Sequence, residues 1–414
     1  MRSKKLGARS IASAASLLVL VAAMAACGSS SDTTSAEPSA EQTTTAEDAP
    51  SEEAAPAQPA EEILMAGPAA LTGPLAFAGV PARQACDLAI EELNASGALE
   101  NRAVVINWED SAGTPEQAIT ITTKALQNPA VLAVPLADGS SSALAVGEVA
   151  QSASTPLLAM IGTAATVPLV GEWVLQGGTN AETPALSPVK YVLGNNPDVK
   201  KVGIVFIETN AGQVIYKDHV VKYLTDQGYE VVGPEPVADN QSNYSSVIQK
   251  FKGADVDAIY LAMYGEAGAN FIVQANTRGL GENVVWIANQ GTSDPKLWEI
   301  GGDLVNGLVM DSALNPNAES GLAKEFNDNY TAKYGAAPNV WGVFGYNMCQ
   351  MAGKALENLN GQEVTKRSFL DAMLALQNID SVVGQGKFGF GPNGESLYEA
   401  LVVAVDGEKF VTVG

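Results

Sequence analysis

The sequence predicts an α/β protein in which helices cover parallel sheets and the sheets form two lobes. Short apolar segments with strand character alternate with amphipathic helical segments from residue 63 onward. The apolar segments are nearly continuous, as in parallel strands that are buried on both faces. There are more of them than one such sheet would hold, so two lobes are predicted rather than one.

The predicted elements follow one another in a regular order. Strands are predicted at 63–66, 104–108, 131–134, 157–161, 202–207, 231–232, 258–262, 284–288 and 307–310. Apolar side chains three and four residues apart predict helices at 83–93, 115–126, 213–224 and 269–277. The C-terminal part changes type, with helical stretches 322–334 and 340–359, a hairpin-like 387–390 and a final strand 400–405. Such a segment is expected to complete a lobe that began earlier.

Residues 1–26 have the pattern of a secretory signal. A basic start with Arg2, Lys4, Lys5 and Arg9 precedes an uncharged apolar run over 11–26. The run is shorter than the ~20 residues that span a bilayer, which favours export and cleavage over a permanent membrane helix. Small residues lead to Cys27, as in a bacterial lipobox, so Cys27 is predicted to carry a lipid after cleavage; a plain signal peptide cut elsewhere is the alternative.

Residues 27–62 are predicted to form a solvated tether behind the lipidated Cys27. The segment consists mainly of Ser, Thr, Ala, Glu and Pro, with nine acidic and no basic side chains between residues 28 and 62. It has too little apolar surface to offset the entropy that ordering it would cost. A flexible coil of this length reaches roughly 30 to 35 Å, which keeps the folded part close to the membrane.

The chain is strongly acidic, with a net charge of −23. Residues 63–414 alone carry 37 acidic and 19 basic side chains, a net charge of −18. Phosphate backbones and anionic lipid head groups repel such a protein. Nucleic acid is therefore not an expected partner, and contact with the membrane is expected through the Cys27 lipid only.

The residue inventory argues against an enzyme. The single histidine, His219, lies in an amphipathic helical pattern and is interpreted as a surface residue. Paired-histidine zinc motifs, a serine nucleophile elbow and a phosphate-binding loop are absent from the sequence. The segment 384–389 matches Gly-x-Gly-x-x-Gly, but the turn residues of 390–394 follow it where a dinucleotide site needs a helix. No catalytic residue, metal or cofactor is expected.

Cys86 and Cys349 each lie on an apolar helical face. In an exported protein they could form a disulfide, or each could be a small buried hydrophobic residue. The sequence leaves both possibilities open.

Residues 63–414 resemble the leucine/isoleucine/valine-binding type of extracytoplasmic solute-binding protein, the receptor of an ABC importer. The resemblance depends on the order and spacing of short motifs over about 350 residues. They are Gly67-Pro68, Leu71-Thr72-Gly73-Pro74-Leu75, Gly79, the helix 85–94, Glu109-Asp110-Ser111, Asp138-Gly139-Ser140-Ser141-Ser142, 156–161, Thr163-Ala164-Ala165-Thr166, Gly335-Ala336-Ala337-Pro338 and the aromatic helix 341–346.

The resemblance implies two Rossmann-like lobes joined by three crossings, the type I periplasmic binding protein fold, with a ligand trapped between them by hinge closure. Lobe one is expected at 63–181 plus 312–382, and lobe two at 182–311 plus 383–414. The chain is expected to act as a monomer that delivers its solute to permease and ATPase subunits on the outer face of the cytoplasmic membrane.

The expected ligand site lies at the strand ends of the cleft. The hydroxyls of Ser140 and Ser141 precede a predicted helix, where free backbone N–H groups suit a carboxylate. The resemblance implies that Ala164 and Thr166, after the next strand, hold the ligand's amino and carboxylate groups. The simpler interpretations are a helix cap for the serines and a turn residue for Thr166.

The second lobe departs from the pattern of amino-acid binders. The resemblance places Gln290 where the family presents a carboxylate to the ligand's ammonium, and Ala211 where a clamping tyrosine is usual. Phe77-Ala78 replaces the aromatic residue expected before Gly79, and Tyr264 lies one position beyond the expected tyrosine. Because a buried ammonium needs an anion, either Asp138, Glu208 or Glu266 supplies it, or the ligand is a carboxylate or amide without an ammonium.

The favoured function is therefore an ABC-importer receptor for a small carboxylate-bearing solute. The candidates are a branched-chain or other aliphatic amino acid, an amide or an aromatic acid. Two other classes remain open: a lipid-anchored sensor that delivers its closed form to a signalling receptor, and an anchored hydrolase.

Overall fold

The computed structural model describes residues 61–178, 182–281 and 284–413. The predicted signal peptide, Cys27 and nearly all of the predicted tether lie outside the described residues. None of the helices in the three described ranges combines the length and the apolar character that a membrane crossing needs.

The first lobe begins with alternating strands and helices. These are β1 (Glu61–Ala69), α1 (Ala76–Ser96), β2 (Arg102–Asp110), α2 (Pro115–Ala125), β3 (Val134–Leu136), α3 (Ser140–Ser152), β4 (Leu157–Ala159) and β5 (Val174–Gln176). β1 pairs with β2, and β4 pairs with both β3 and β5, all in parallel. Parallel bridges from Met65 to Ala133 and from Ala69 to Ala137 place β3 beside β1. The strand order across this lobe is therefore β2-β1-β3-β4-β5.

The second lobe repeats this alternation. Its elements are α4 (Glu182–Asn195), β6 (Lys201–Ile207), α5 (Ala211–Asp226), β7 (Glu230–Val237), α6 (Ser245–Ala254), β8 (Ala258–Ala262), α7 (Gly265–Thr277), β9 (Val285–Ala288), α8 (Lys296–Gly301) and β10 (Val309–Ser312). Along β8, Ile259 and Leu261 pack in one apolar core, while Tyr260 and Ala262 pack in the core on the other side. Burial on both faces is why the strand is a continuous apolar run.

The chain then returns to the first lobe and ends in the second. The returning elements are α9 (Gly321–Tyr334), α10 (Val340–Asn358), α11 (Lys366–Leu374), β11 (Ile379–Asp380), β12 (Lys387–Phe390) and β13 (Ser396–Leu397), followed by β14 (Leu401–Val405) and β15 (Phe410–Thr412). β14 and β15 extend the second sheet as antiparallel strands, giving the order β15-β14-β10-β9-β8-β6-β7. Two mostly parallel sheets confirm the predicted α/β class.

The sequence places the last border between the lobes after residue 382, but in the structure this border lies later in the chain. Phe388 and Phe390 of β12 are buried in the same core as α1 and α10, and the second lobe's sheet resumes only at Leu401. The difference arises because β12 pairs with β11 and β13, which keeps the whole small sheet on the first lobe.

Helices α1 and α10 are cross-linked. Cys86 and Cys349 form a disulfide between Cα atoms 5.2 Å apart, which settles the question that the sequence left open.

The segments that join the lobes lie side by side. The backbone N–H of Gly384 donates to the carbonyl of Ala313 at 2.6 Å, and the Ser396 hydroxyl donates to the carbonyl of Gly178 at 2.7 Å. Gly384 has φ +52°, and a Cβ there would lie 1.9 Å from the Glu399 carbonyl oxygen, so this close crossing requires glycine. The Gly-x-Gly-x-x-Gly segment thus enters strand β12, as predicted, and opens no helix.

Candidate functional site

The two lobes meet where helix α3 of the first lobe faces helix α5 of the second, each with its N-terminal end. Gly212, in the first turn of α5, approaches the first lobe closely. A Cβ on Gly212 would lie 2.6 Å from the Thr163 hydroxyl oxygen and 3.1 Å from that of Ser140. The absence of a side chain at Gly212 therefore allows this contact between the lobes.

Ser140 is held so that its hydroxyl proton is available. Its Oγ accepts backbone N–H bonds from Thr163 at 3.0 Å and from Ala164 at 3.1 Å, and the residue is buried. Because both lone pairs are used, the hydroxyl can act only as a donor toward the cleft. This orientation suits a carboxylate or carbonyl oxygen of a ligand.

Two further polar groups, one lining the cleft and one on a residue bonded to a lining side chain, are buried without a partner among the described residues. Trp341, at the start of α10, lines the space beside Ser140, and its indole N–H makes no hydrogen bond. On the second lobe, Asn289 donates to the Gln213 side-chain oxygen at 2.6 Å, but its own Oδ1 accepts nothing. Burying such groups costs free energy unless something fills the site. Here the enclosed space is only about 20 Å³, so the cleft is nearly closed.

Asp138 and Ser141 lie beside Ser140 but differ in role. The Asp138 carboxylate is buried and accepts the Ser111 hydroxyl and the Gly139 backbone N–H, both at 2.6 Å. Burial raises its pKa above the ordinary value for aspartate. These first-lobe groups already occupy the Asp138 carboxylate, while Ser141 is half-buried in the first turn of α3.

Ala164 and Thr166 separate in the structure. Ala164 is buried, donates its N–H to Ser140 and accepts the Gln176 side-chain amide through its carbonyl at 2.9 Å. Thr166 is exposed in the following turn, where its carbonyl accepts from Leu169. The hydroxyl that lines the cleft belongs to Thr163, three residues earlier.

Gln290 lies in a buried polar network of the second lobe. Its side-chain amide donates to the Tyr216 hydroxyl at 2.8 Å, and its backbone N–H donates to Asp311 Oδ1 at 3.1 Å. The Tyr216 hydroxyl in turn donates to Asp311 Oδ2 at 3.1 Å. The Gln290 side-chain oxygen has no partner among the described residues. Burial raises the pKa of Asp311 to about 7.

Phe77 and Tyr264 meet across the lobes. Their ring centroids are 5.1 Å apart in an edge-to-face arrangement, and Phe77 also makes an edge contact with Trp341 at 6.2 Å. Tyr264 comes directly before α7 and lines the small cleft together with Ser140 and Gln213. Burial is the main cause that raises the pKa of Tyr264 well above its ordinary value, so its hydroxyl stays protonated.

Both rings of this aromatic pair also line a larger cavity. It has a volume of about 540 Å³, and we call it the outer chamber. Its lining comes from both lobes and consists of Gly73, Pro74, Phe77, Asp239, Asn240, Gln241, Ser242, Tyr244, Tyr264, Gly265, Glu266, Ala267, Asn270, Asp294 and Lys296.

The three carboxylates considered as substitutes for the missing anion occupy different places. Asp138 lies at the first-lobe side, Glu208 is exposed after β6, and Glu266 is exposed at the outer chamber. The acid next to Gln290 is Asp311, which the sequence reasoning missed. Its signal was available, since a charged residue in the apolar strand 309–312 demands a partner.

The cleft residues Thr163, Gln213 and Trp341 were also missed, as was Asn289, which donates to Gln213. Trp341 belongs to the aromatic helix already noted in the sequence, and Asn339 caps that helix by accepting two of its backbone N–H groups. The other three lie at strand or helix ends, which the predicted order of elements indicates only as a group.

Two mostly parallel α/β lobes that close over a cleft of polar groups define a solute-binding protein with the type I periplasmic fold. The chain belongs to the periplasmic binding protein family, whose sequence model matches residues 63–409. This membership confirms the family to which the sequence motifs pointed.

Individual relatives agree with this assignment. The chain is 26% identical over 338 residues to Leu/Ile/Val-binding protein homolog 8 of Brucella melitensis, covering 78% of this chain and 81% of the relative. Two solved structures share the fold with TM-scores of 0.75 and 19% identity. One is the Streptococcus pneumoniae branched-chain amino acid transporter substrate binding protein LivJ in complex with isoleucine, covering 85% of this chain and 99% of that one. The other is a Rhodopseudomonas palustris ABC transporter solute binding protein in complex with 3,4-dihydroxy benzoic acid, covering 86% and 97%.

Proposed function

We propose that this protein is the extracytoplasmic receptor of an ABC importer and captures a small carboxylate-bearing solute between its lobes. The solute is a branched-chain or other aliphatic amino acid, or a related amide or aromatic acid. Named relatives support this range, because one fold neighbour holds isoleucine and another holds an aromatic acid.

The Ser140 hydroxyl is the observation that carries the proposal. Two backbone N–H groups fix its oxygen, which turns its proton toward the cleft. The unpartnered Trp341 N–H and the Thr163 hydroxyl add donors on the same side. Donors without formal charge, beside the N-terminal ends of α3 and α5, can hold a carboxylate without a lysine or arginine.

The second lobe supplies acceptors that complement these donors. The side-chain oxygens of Asn289 and Gln290 are buried and have no partner among the described residues. They fit the N–H groups of an amide or an ammonium. A solute with an acidic end toward Ser140 and an N–H-bearing end toward the second lobe satisfies both lobes.

The predicted N-terminal segments indicate how the protein would deliver its solute to the importer. Cleavage before Cys27 and its lipidation would anchor the protein to the outer face of the cytoplasmic membrane, and the acidic tether would leave the lobes free to close. The receptor acts as a monomer, presents its closed form to permease and ATPase subunits, and releases the solute chemically unchanged.

Calorimetry on the purified protein tests the proposal. Leucine, valine, urea, short amides and benzoate-type acids are titrated into the wild type, into Ser140→Ala and into the control Ser152→Ala. Ser152 lies at the other, exposed end of the same helix, where its hydroxyl bonds only a carbonyl within the helix. We expect a carboxylate-bearing member of the panel to bind, and binding to weaken about tenfold or more in S140A alone, as for the loss of a buried hydrogen bond.

Other results of these experiments would contradict the proposed function. If no carboxylate binds, or if S140A binds as tightly as S152A, the proposed site is wrong. Recovery of a chemically altered ligand after incubation would contradict a receptor and favour the hydrolase.

A further inference from the structure

The outer chamber, and not the small cleft, offers space of ligand size. The cleft around Ser140 encloses about 20 Å³, whereas the outer chamber has about 540 Å³. Both lobes contribute walls, since Pro74 and Phe77 face groups of the second lobe. A molecule held there would contact both lobes and stabilise closure.

The chamber is negatively charged. Asp239, Glu266 and Asp294 line it, and the one lining cation, Lys296, has its ammonium 2.5 Å from the Glu299 carboxylate, which is not part of the lining. Asp294 is only 7% exposed, and one of its oxygens accepts the Lys296 backbone N–H at 2.8 Å. Burial is the main cause that raises the pKa of Asp294, and the nearby carboxylates Glu299 and Glu266 raise it further. A cation in the chamber would relieve this repulsion.

A second, independent observation points to a bound group. Tyr244 lines the chamber, is completely buried, and its hydroxyl has no hydrogen-bond partner within the described ranges. Burial and the Glu266 carboxylate raise the pKa of Tyr244 to about 12, so the neutral phenol offers an acceptor and a donor. An N–H donor of a ligand would satisfy the Tyr244 oxygen, which is otherwise buried at a cost.

The residues that line the outer chamber favour an organic cation over a metal ion. Aromatic rings of Phe77, Tyr264 and Tyr244 lie among the carboxylates, a combination that suits an alkylammonium group with an apolar body. No group of three or more acidic, cysteine or histidine residues in the described part of the chain could hold a metal ion.

We propose that the outer chamber binds the ammonium group of the transported solute. The solute class is then an amino acid whose ammonium is separated from its carboxylate by an alkyl chain, with the carboxylate toward Ser140 and the ammonium beyond the Phe77–Tyr264 pair. This inference rests on the proposed function and specifies its substrate class. It also accounts for a neutral Gln290 at the position where an α-ammonium would need an anion.

The test uses pairs of probes that differ only in the ammonium. Calorimetry compares 4-aminobutanoate with butanoate, 5-aminopentanoate with pentanoate, and 6-aminohexanoate with hexanoate, because the series brackets the distance between the two ends. The proteins are the wild type, Glu266→Gln, the double variant Glu266→Gln/Asp294→Asn, and the control Asp303→Asn. Asp303 is an exposed acid of the same lobe outside the chamber.

In the wild type and in D303N, we expect one amino acid of the series to bind about tenfold or more tightly than its partner without the amine, the effect of a partly desolvated ion pair. This difference should shrink in E266Q and vanish in the double variant. E266Q changes an exposed side chain, so it keeps the test valid if the double variant does not fold.

The alternative results overturn the proposal in distinguishable ways. An equal preference for the amine in all four proteins, or carboxylate binding with no preference for the amine in the wild type, excludes the chamber but leaves the Ser140 site intact. If none of the probes binds and the panel titrated against Ser140→Ala also fails, the proposed function falls and the chamber with it.

Discussion

The buried Asp311 carboxylate predicts how stability changes with pH. The side chain is completely buried, and its two oxygens accept from neutral donors, among them the Gln290 backbone N–H and the Tyr216 hydroxyl, each at 3.1 Å. None of the ion pairs found among the described residues involves Asp311. Burial therefore raises its pKa from 3.8 to about 7.

The sign of the effect follows from proton binding. Between pH 3.8 and about 7 the folded protein holds a proton on Asp311 that the unfolded chain has lost. Stability therefore falls as the pH rises through this window. A shift of about three pH units corresponds to a loss of up to about 4 kcal/mol in the free energy of unfolding at 25 °C.

The perturbation is Asp311→Asn, which removes the charge and keeps the shape. Urea unfolding of D311N and of the wild type is followed from acidic to mildly alkaline pH, and the free energy of unfolding of the wild type is subtracted from that of the variant. We expect this difference to rise by up to about 4 kcal/mol between roughly pH 4 and pH 7 and to level off above it. Subtraction removes the titration of the many other acids, which both proteins share.

Asp255→Asn is the matched control. Asp255 is exposed and ends α6 in the left-handed conformation with φ +55°, which asparagine also adopts readily. The difference between D255N and the wild type should stay flat over the same pH range. A flat profile for D311N as well would refute the argument, because Asp311 would then titrate alike in the folded and unfolded protein.

Two further predictions concern the contact between α1 and α10. The disulfide joins residues 263 apart in sequence, so replacing both Cys86 and Cys349 with alanine should lower the free energy of unfolding by about 3 to 5 kcal/mol in chemical denaturation; no change would show that it constrains nothing. A Cβ on Gly345 would lie 2.0 Å from the Ala82 carbonyl oxygen, so Gly345→Ala should lower the free energy of unfolding by about 2 kcal/mol or more. The control is Gly194→Ala, in the last turn of α4, where a Cβ would meet nothing within 4 Å. This variant should be neutral or stabilising by up to about 1 kcal/mol. Equal melting temperatures for the two glycine variants would contradict this account.

The sequence predicted the alternating elements because their periodicity is local. Strands such as β6 and β8 are continuous apolar runs, and their burial on two faces leaves a direct mark on composition. The final lobe border was misplaced because the sequence shows a short hairpin but not its partner. Only the tertiary structure shows that Phe388 packs against the first lobe.

The candidate site was predictable to the level of strand ends and no further. Ser140 follows a strand and begins a helix, and the structure brings it to the cleft. Thr163 and Thr166 lie in the same irregular segment, where no periodicity distinguishes which hydroxyl faces inward. The outer chamber depends on how the segment 239–242 approaches Phe77 of the other lobe, and no local pattern in the sequence encodes that distance.

In the proposed binding mode, charge recognition is divided between two places. Around Ser140 the groups that face a ligand are neutral donors and helix ends in a buried place, so salt screens their contribution little. At the outer chamber the contribution comes from Glu266, Asp294 and Asp239, two of which are exposed and therefore screened by salt. A solute that binds at both places should lose affinity at high salt, and the loss should not exceed the part of the binding free energy that its ammonium contributes. Its partner without the amine should hold nearly constant affinity, because the same helix ends receive its carboxylate.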